Sequence, residues 1–474
     1  NTFAINVETT ASAAQSSSGN GHIHYLLSTG VSNAATGLGY GAASYQATVC
    51  ASDTRAWNQP TSIGASDFSS EITQWSLDNW GEDIVANRRK GSIYYWDTDA
   101  STTPLRAVKV SGATNSTPTT VDSIIVSPND RHLIALGGNE FGTTASPTGT
   151  YNPLTVRWSN QEDYNQWTPN VTNSAGSQRI AGGSEIRCAR PAKGTILVWT
   201  DTTMQSMSFI GPPFIFGFRQ LGNDCGAVGL NSAIVIDDIA YWMSDGQFFR
   251  YAGSVQEIPC PILNHVFEDI NKTQYAQVYA AQNSEFSEVI WYYCSSSADQ
   301  NDRYVIYNYL ENSWYFGTMD RSTYQDNGVE LNPLATEYLS TSNASTISTI
   351  NGLTEGRSLI YAQESGVDAD GSALTAYIQS GDGDIADGET FSFINKVIPD
   401  FQNQTGNTVI TLSVKDYPND TATVGETLTV NNTTRFVNTR IRGRQSNIKI
   451  ENNNIGDNWR FGTLRVNIKQ DGKR

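Results

Sequence analysis

Trp158-Ser159-Asn160-Gln161-Glu162-Asp163-Tyr164-Asn165-Gln166-Trp167-Thr168-Pro169 is the stretch on which the fold turns. It reads as a strand that ends at one Trp, passes through a polar turn and restarts at a second Trp. The same punctuation recurs in Ile93-Tyr94-Tyr95-Trp96, Thr155-Val156-Arg157-Trp158, Ile196-Leu197-Val198-Trp199, Ile239-Ala240-Tyr241-Trp242 and Ile290-Trp291-Tyr292-Tyr293, at spacings of roughly 40–60 residues. Strand groups of that length, closed by aromatics and separated by Asn- and Asp-Gly turns, are what four-stranded propeller blades require. Asp245-Gly246, between Tyr241-Trp242-Met243 and Phe248-Phe249-Arg250-Tyr251, is the strongest single hairpin signal.

Working outward, residues 69–365 are expected to form an irregular β-propeller, with a pair of β-sandwiches as the alternative. Trp96, Trp158, Trp199, Trp242 and Trp291 are expected in its core. One helix is expected within Pro261–Thr273, where Ile262, Val266, Phe267 and Ile270 form an approximate 3.6-residue stripe. After residue 366 the rhythm changes to longer strands, from Leu374–Gln379 to Gly462–Ile468, which reads as a β-sandwich-like platform domain over 366–474. Residues 1–68, rich in Ser, Ala and Gly, read as an arm or insertion, with a strand at Ile23–Leu27. The fold class is all-β.

Composition narrows the function. The chain has 474 residues, of which 16% are charged and 11% aromatic, and a net charge of −17, which disfavours nonspecific nucleic-acid binding by the whole surface. From Asn431 to Arg474, however, ten Lys and Arg stand against three Asp and Glu, about +7 in an otherwise acidic chain. Five scattered cysteines without a C-x-x-C pair read as reduced core thiols of a protein made in a cytosol. No run is long and apolar enough for a membrane span, and no stable membrane insertion is expected. Phe209–Phe218, broken by Gly and two Pro, reads as a packed loop rather than a lipid-facing segment. The chain opens at Asn1 without a signal peptide, which reads as upstream residues removed by processing or trimming, or as numbering that begins where order begins.

The catalytic inventory is thin. No G-x-S-x-G, H-E-x-x-H or P-loop pattern occurs. His22-x-His24 places two imidazoles on one strand face but lacks a third ligand. The Asp-rich turns at Asp368–Gly371 and Asp382–Gly388 are as well explained by hairpins as by calcium, and Glu162, Asp163, Glu285 and Glu288 offer carboxylates with nothing to pair them. No cofactor or metal and no enzymatic activity are expected. Arg440-Ile441-Arg442-Gly443-Arg444 sets three guanidiniums at alternate positions of a strand, where they suit contact with an acidic neighbouring subunit, DNA phosphates or solvent; Lys449 and Arg460 complete the candidate contact set.

Several of these segments resemble structural tail proteins of short-tailed bacteriophages, the nozzle, tail tubular or packaged-DNA stabilisation class. The resemblance is carried by Trp75–Glu82, Trp158–Pro169, Leu197–Asp201 leading to Met207–Gly211 and Pro213-Phe214, Asn301–Tyr309, and Trp459-Arg460-Phe461-Gly462, across most of residues 70–474. It implies a virion protein made in the host cytoplasm and assembled into a homo-oligomeric ring, usually six copies, bound to adaptor and portal-proximal proteins. The ring would retain packaged double-stranded DNA and conduct it on ejection, with tail fibres or a needle as further partners. The rival is a host-recognition protein that binds or cleaves carbohydrate, in which Trp and Tyr would be exposed to stack on sugars.

Overall fold

The computed structural model describes residues 74–98, 107–111, 116–143, 148–328, 330–339, 357–369, 371–385 and 388–472. Segment 1–68, with the expected strand at Ile23–Leu27 and the His22/His24 pair, lies outside them. The described residues are almost entirely antiparallel strands, so the chain is all-β. They divide into two compact units, Asn1–Gln363 and Glu364–Arg474, beside the division expected after residue 365.

In the first unit, consecutive strands build each sheet in turn. Sheet one holds β1 (Trp75–Trp80), β2 (Asp83–Arg88), β3 (Ile93–Trp96) and β4 (Val108–Lys109); sheet two holds β5 (Val121–Val126), β6 (Leu133–Phe141), β7 (Thr148–Trp158) and β8 (Gly176–Arg179). Sheet three comprises β9 (Ile186–Ala192), β10 (Thr195–Thr200), β11 (Thr203–Gly211) and β12 (Ile215–Asn223). Sheet four comprises β13 (Ala233–Ile236), β14 (Ile239–Ser244), β15 (Gln247–Tyr251) and β16 (Val255–Glu257). Sheet five is β17 (Tyr279–Asn283), β18 (Glu288–Tyr293), β19 (Arg303–Asn308) and β20 (Ser313–Thr318), and sheet six is β21 (Thr323–Gln325), β22 (Leu334–Leu339) and β23 (Arg357–Ala362). The first strands touch in succession, β1 to β5 to β9 to β13 to β17 to β21.

The runs Ile-Leu-Val-Trp and Ile-Ala-Tyr-Trp are apolar without alternation because both faces of these strands are buried. On β10, Ile196 and Val198 pack with sheet two, while Leu197 and Trp199 pack with sheet four. On β14, Ala240 and Trp242 face sheet three, and Tyr241 and Met243 face sheet five. On β18, Trp291 and Tyr293 face sheet four, and Ile290 and Tyr292 face sheet six. A sheet with an apolar surface on each side satisfies both only by lying between two others.

The aromatic punctuation is out of phase with the sheets. It falls on the third strand of sheets one and two and on the second strand of sheets three to five. Both are central positions, which is where two-sided burial is strongest. Two expectations are corrected. Trp96 is 40% exposed, because β4 pairs only with Tyr94 and Tyr95 and leaves the last residue of β3 outside that ladder. No strand restarts at Trp167, which is fully buried in the loop between β7 and β8 and packs with Trp80, Val85, Ile93 and Val121 of sheets one and two.

The helix is α1 (Leu263–Asp269), shorter than the expected span; Ile270 is already extended, and a 3-10 turn follows at Lys272–Gln277. Its Val266, with Ile270, packs into the core between sheets four and five. Cys188, Cys225 and Cys294 are free and buried, Cys260 is free and half-buried, and Cys50 lies outside the described residues. Burial pushes the Cys294 thiol up to about 12, so it stays protonated and inert at neutral pH.

The second unit contains β24 (Ala376–Gln379), β25 (Gly383–Asp384), β26 (Ser392–Ile398), β27 (Phe401–Thr405), β28 (Thr408–Lys415), β29 (Thr423–Val430), β30 (Val437–Gly443), β31 (Gln445–Asn452), β32 (Asn458–Phe461) and β33 (Arg465–Gln470). One sheet runs β24-β31-β28-β29 with β25 also on β31, and another runs β30-β26-β33. Ile410, Leu412, Val414, Leu428, Val430 and Ile450 of the first meet Ile394, Val397 and Ile441 of the second in one core. β28 alternates buried and half-buried residues along its whole length, the period of a strand with one face inward.

The free edge of β5 is closed by side chains rather than by a strand. Ser76 Oγ and Asp78 Oδ2 on β1 accept the backbone N–H groups of Ile124 (2.9 Å) and Val126 (2.7 Å). Burial is the largest influence on Asp78 and raises its carboxyl above the ordinary 3.8, against the lowering effect of these bonds. The folded chain therefore holds this proton more tightly than the unfolded chain, and the associated stability is lost as pH rises through the folded-state value. Asp78→Asn keeps an acceptor oxygen but removes the titration. In urea unfolding between about pH 4 and 7, the wild type should lose stability relative to the variant as pH rises; a constant difference would rule this account out.

Candidate functional site

The β7–β8 connection carries a dense set of polar contacts, and Arg157 stands at its centre. This guanidinium is buried without a carboxylate: its Nη2 donates to the carbonyls of Ser116 (2.7 Å) and Trp167 (3.2 Å), and Nη1 to that of Asn139 (3.4 Å). It also lies 5.6 Å from the centroid of Phe141 and 5.9 Å from that of Trp167. Burial alone depresses it to about 10, still charged at neutral pH. Trp167 Nε1 donates to Tyr164 O (2.7 Å), which closes the loop on itself. Gly176 pairs opposite Trp158, and a Cβ there would lie 2.5 Å from the indole, so no larger residue fits without a shift.

Glu162 and Asp163 are turn residues in this loop. Glu162 has φ +60° and pairs with Arg131 at 3.1 Å in an exposed bridge, and Asp163 Oδ1 accepts the N–H of Asn165. Neither carboxylate is set against the other across a pocket.

One arrangement was not anticipated from the sequence. Asp130 Oδ2 lies 2.5 Å from His132 Nδ1, and His132 Nε2 lies 2.9 Å from Ser174 Oγ, the connectivity of a nucleophilic triad. Its surroundings are those of a lock. Asn160 Oδ1, a pure acceptor, sits 3.0 Å from the Ser174 hydroxyl and competes with the imidazole for its single proton. The Gln161 N–H points at Oγ itself (2.8 Å), not at a place where an oxyanion would form. Phe216 and Phe209 cover the ring at 5.2 and 5.8 Å, and Ser174 O receives the Trp158 indole N–H at 2.8 Å. The chain thus ties the β7–β8 loop to the turn before β6. Asp130 and His132 meet through a turn in which Arg131 takes φ +47°, and Ser174 is far along the chain, so no periodic signal in the sequence announced the set.

The C-terminal cations are only partly outward. Arg440 and Arg442 project from the exposed face of β30, while Thr439 and Ile441 face the core. Arg442 Nε donates to Asp471 (2.6 Å), and Arg442 and Arg444 lie 4.0 and 4.6 Å from the centroid of Phe391. Arg444 follows the end of β30 and also lies 4.8 Å from Tyr417. The expected placement of all three on one strand is corrected for Arg444, which lies past the end of β30, and Phe391 and Asp471, brought beside β30 through β26 and the chain end, engage two of the three. Lys449 pairs with Glu451 and lies 5.2 Å from Tyr377. Arg460 is exposed on β32, between Trp459 and Phe461, which pack against the core.

Among the described residues, no group of three or more His, Cys, Asp or Glu is placed to hold a metal ion. Asp382 bonds Lys415 and Asn447, Asp384 bonds Gln445, and Asp368 accepts the Gly456 N–H, so these turn carboxylates are used locally. Asp370 and Asp387 lie outside the described residues.

No protein-family model and no curated protein matches the chain. Among solved structures it is similar to the computationally designed Ika8 protein, with a TM-score of 0.33 and 12% identity over 57% of this chain and 69% of that one. It is also similar to apo AztD from Citrobacter koseri, with a TM-score of 0.33 and 7% identity over 58% of this chain and 68% of that one. The extracellular domain of a hybrid two-component system from B. thetaiotaomicron scores 0.31 at 11% identity, over 55% of this chain but 30% of that one. Neither fold nor function is carried over from likenesses at this level.

The lock reading has a direct test. Ser174→Ala should destabilise the chain by about 1–3 kcal/mol in denaturant unfolding, because it strands buried partners, and a serine-directed fluorophosphonate should leave Ser174 unlabelled in the wild type. Labelling of Ser174 that disappears in His132→Ala would instead make it a nucleophile.

Proposed function

We propose that this chain is a structural virion protein of a short-tailed phage, of the nozzle or tail tubular class, which assembles as a ring, retains packaged DNA and conducts it on ejection. The observation that carries the proposal is the order of architectures along the chain: consecutive meander sheets stacked face to face, followed by a separate unit of a five-stranded, a three-stranded and a two-stranded sheet that holds the basic strands. This is the order that the resemblance in Trp75–Glu82, Trp158–Pro169 and Trp459–Gly462 implies.

In this reading the first unit is an irregular propeller. Support comes from the successive contacts of the first strands and from Gln74, just before β1, whose side chain donates to the carbonyl of Ala276, just before β17. The beginnings of sheets one and five are thereby neighbours, as curvature of the stack around an axis requires. An acidic body suits a conduit, since like charge keeps DNA from adhering to it. Arg440 and Arg460, two of the exposed cations in the second unit, are assigned to an acidic surface of a neighbouring subunit or of the adaptor.

Negative-stain electron microscopy of the purified chain or particle should show a ring of several copies at the tail end; a stable monomer on peripheral fibres would overturn the reading. Arg440→Gln combined with Arg460→Gln should reduce the assembled fraction on the order of tenfold while leaving the affinity for free DNA unchanged, as expected for two interfacial charge pairs. Normal assembly with lost DNA retention would reassign these residues to nucleic acid.

A further inference from the structure

The segment expected to be a packed loop, Phe209–Phe218, is a projecting hairpin tip. β11 and β12 pair antiparallel up to Phe209↔Phe216 and Gly211↔Ile215. Beyond the buried Phe216 and Ile215, exposure rises toward the turn: Phe209 is 41% exposed, Ile210 58% and Phe214 74%. Nothing lies within 4 Å of the position a Cβ at Gly211 would take, so this side of the turn faces open space, while Ile215 opposite Gly211 packs into the core shared with sheet two. No residue between Asp201 and Arg219 is charged, in a chain of net charge −17.

The tip is also rigidly based. Phe209 and Phe216 pack at 5.8 Å, and both cover His132, which the Asp130 and Ser174 bonds hold in place. The cross-strand ladder engages the backbone of the stem, so transfer of this stem to an apolar medium strands few polar groups.

We infer that the β11–β12 tip is a lipid-contact element that dips into the interfacial region of a bilayer. Three arguments favour lipid over protein or sugar. Phe209, Ile210 and Phe214 together expose roughly 350 Å² of apolar surface, well short of the ~800 Å² per partner of a stable protein interface. Between Phe209 and Ile215 no side chain can donate or accept a hydrogen bond, so the tip's own side chains offer nothing to a polar rim or to sugar hydroxyls. The absence of charge removes the desolvation penalty that most exposed turns would meet. The element is peripheral: its few apolar residues enter the interface and do not span it. This inference stands on the hairpin alone, independent of ring assembly.

The test is flotation of the full-length chain with phosphatidylcholine vesicles. The wild type should rise with the lipid, to the same extent in low and high salt, because no charge takes part. The combined variant Ile210→Ser, Phe214→Ser should fold normally by circular dichroism, since both side chains are more than half exposed, and its bound fraction should fall by about tenfold or more. Leu310→Ser, which alters an equally exposed apolar residue in the β19–β20 turn, should leave flotation unchanged. Failure of the wild type to float, equal flotation of the combined variant, or lipid-free self-association that the combined variant abolishes would each overturn the inference; the last would assign the tip to a second copy of the chain.

Discussion

Two-sided burial of the central strands is the constraint from which the rest of the first unit follows. A four-stranded meander that carries Leu197 and Trp199 on one face and Ile196 and Val198 on the other has no solvent side, so a neighbour must cover each face. The order of sheets along the chain then becomes the order of sheets in space. Fully buried Trp199, Trp242 and Trp291 fill the gaps, and most of the indole donors are used across connections: Trp242 bonds Cys225 O at 2.8 Å and Trp291 bonds Ser232 O at 3.1 Å. Each such bond links a sheet to the segment that leads into or out of its predecessor, so packing and polar satisfaction act at the same places.

The polar interior is organised by the same logic. Arg157 keeps its charge without an anion because carbonyl oxygens from three separate segments converge on it, which joins Ser116, Asn139 and Trp167 to β7. Ser76 and Asp78 do for the edge of β5 what another strand would have done. The proposed contacts use features at the periphery: the hairpin tip of β11–β12, and Arg440 and Arg460, exposed on β30 and β32 of the second unit.

The legible parts of the sequence were those whose signal is local. Continuous apolar runs marked the central strands, Asp245-Gly246 marked its hairpin with Gly246 at φ +86°, and the change to longer strands marked the second unit. The misreadings share a cause. Trp167 looked like a strand residue because it is large and apolar and mirrors Trp158 across a polar turn, yet Trp158 ends a strand and Trp167 lies in a loop that fills the gap to the preceding sheet. Phe209–Phe218 looked packed because apolar residues usually are; whether a hairpin outgrows its sheet depends on how far the neighbouring strands extend.

Periodicity and turn chemistry by themselves determined that this is an all-β chain of many short strands, where its central strands lie, and that its charge is divided between an acidic body and a basic end. Those properties reside in side chains a few residues apart. Only tertiary structure decided which aromatic faces which sheet, that Ser174 completes a chain of bonds with His132 and Asp130, that Arg442 and Arg444 rest on Phe391, and that Phe214 is left in solvent. Each depends on groups distant in sequence meeting, or failing to meet, after the sheets have stacked.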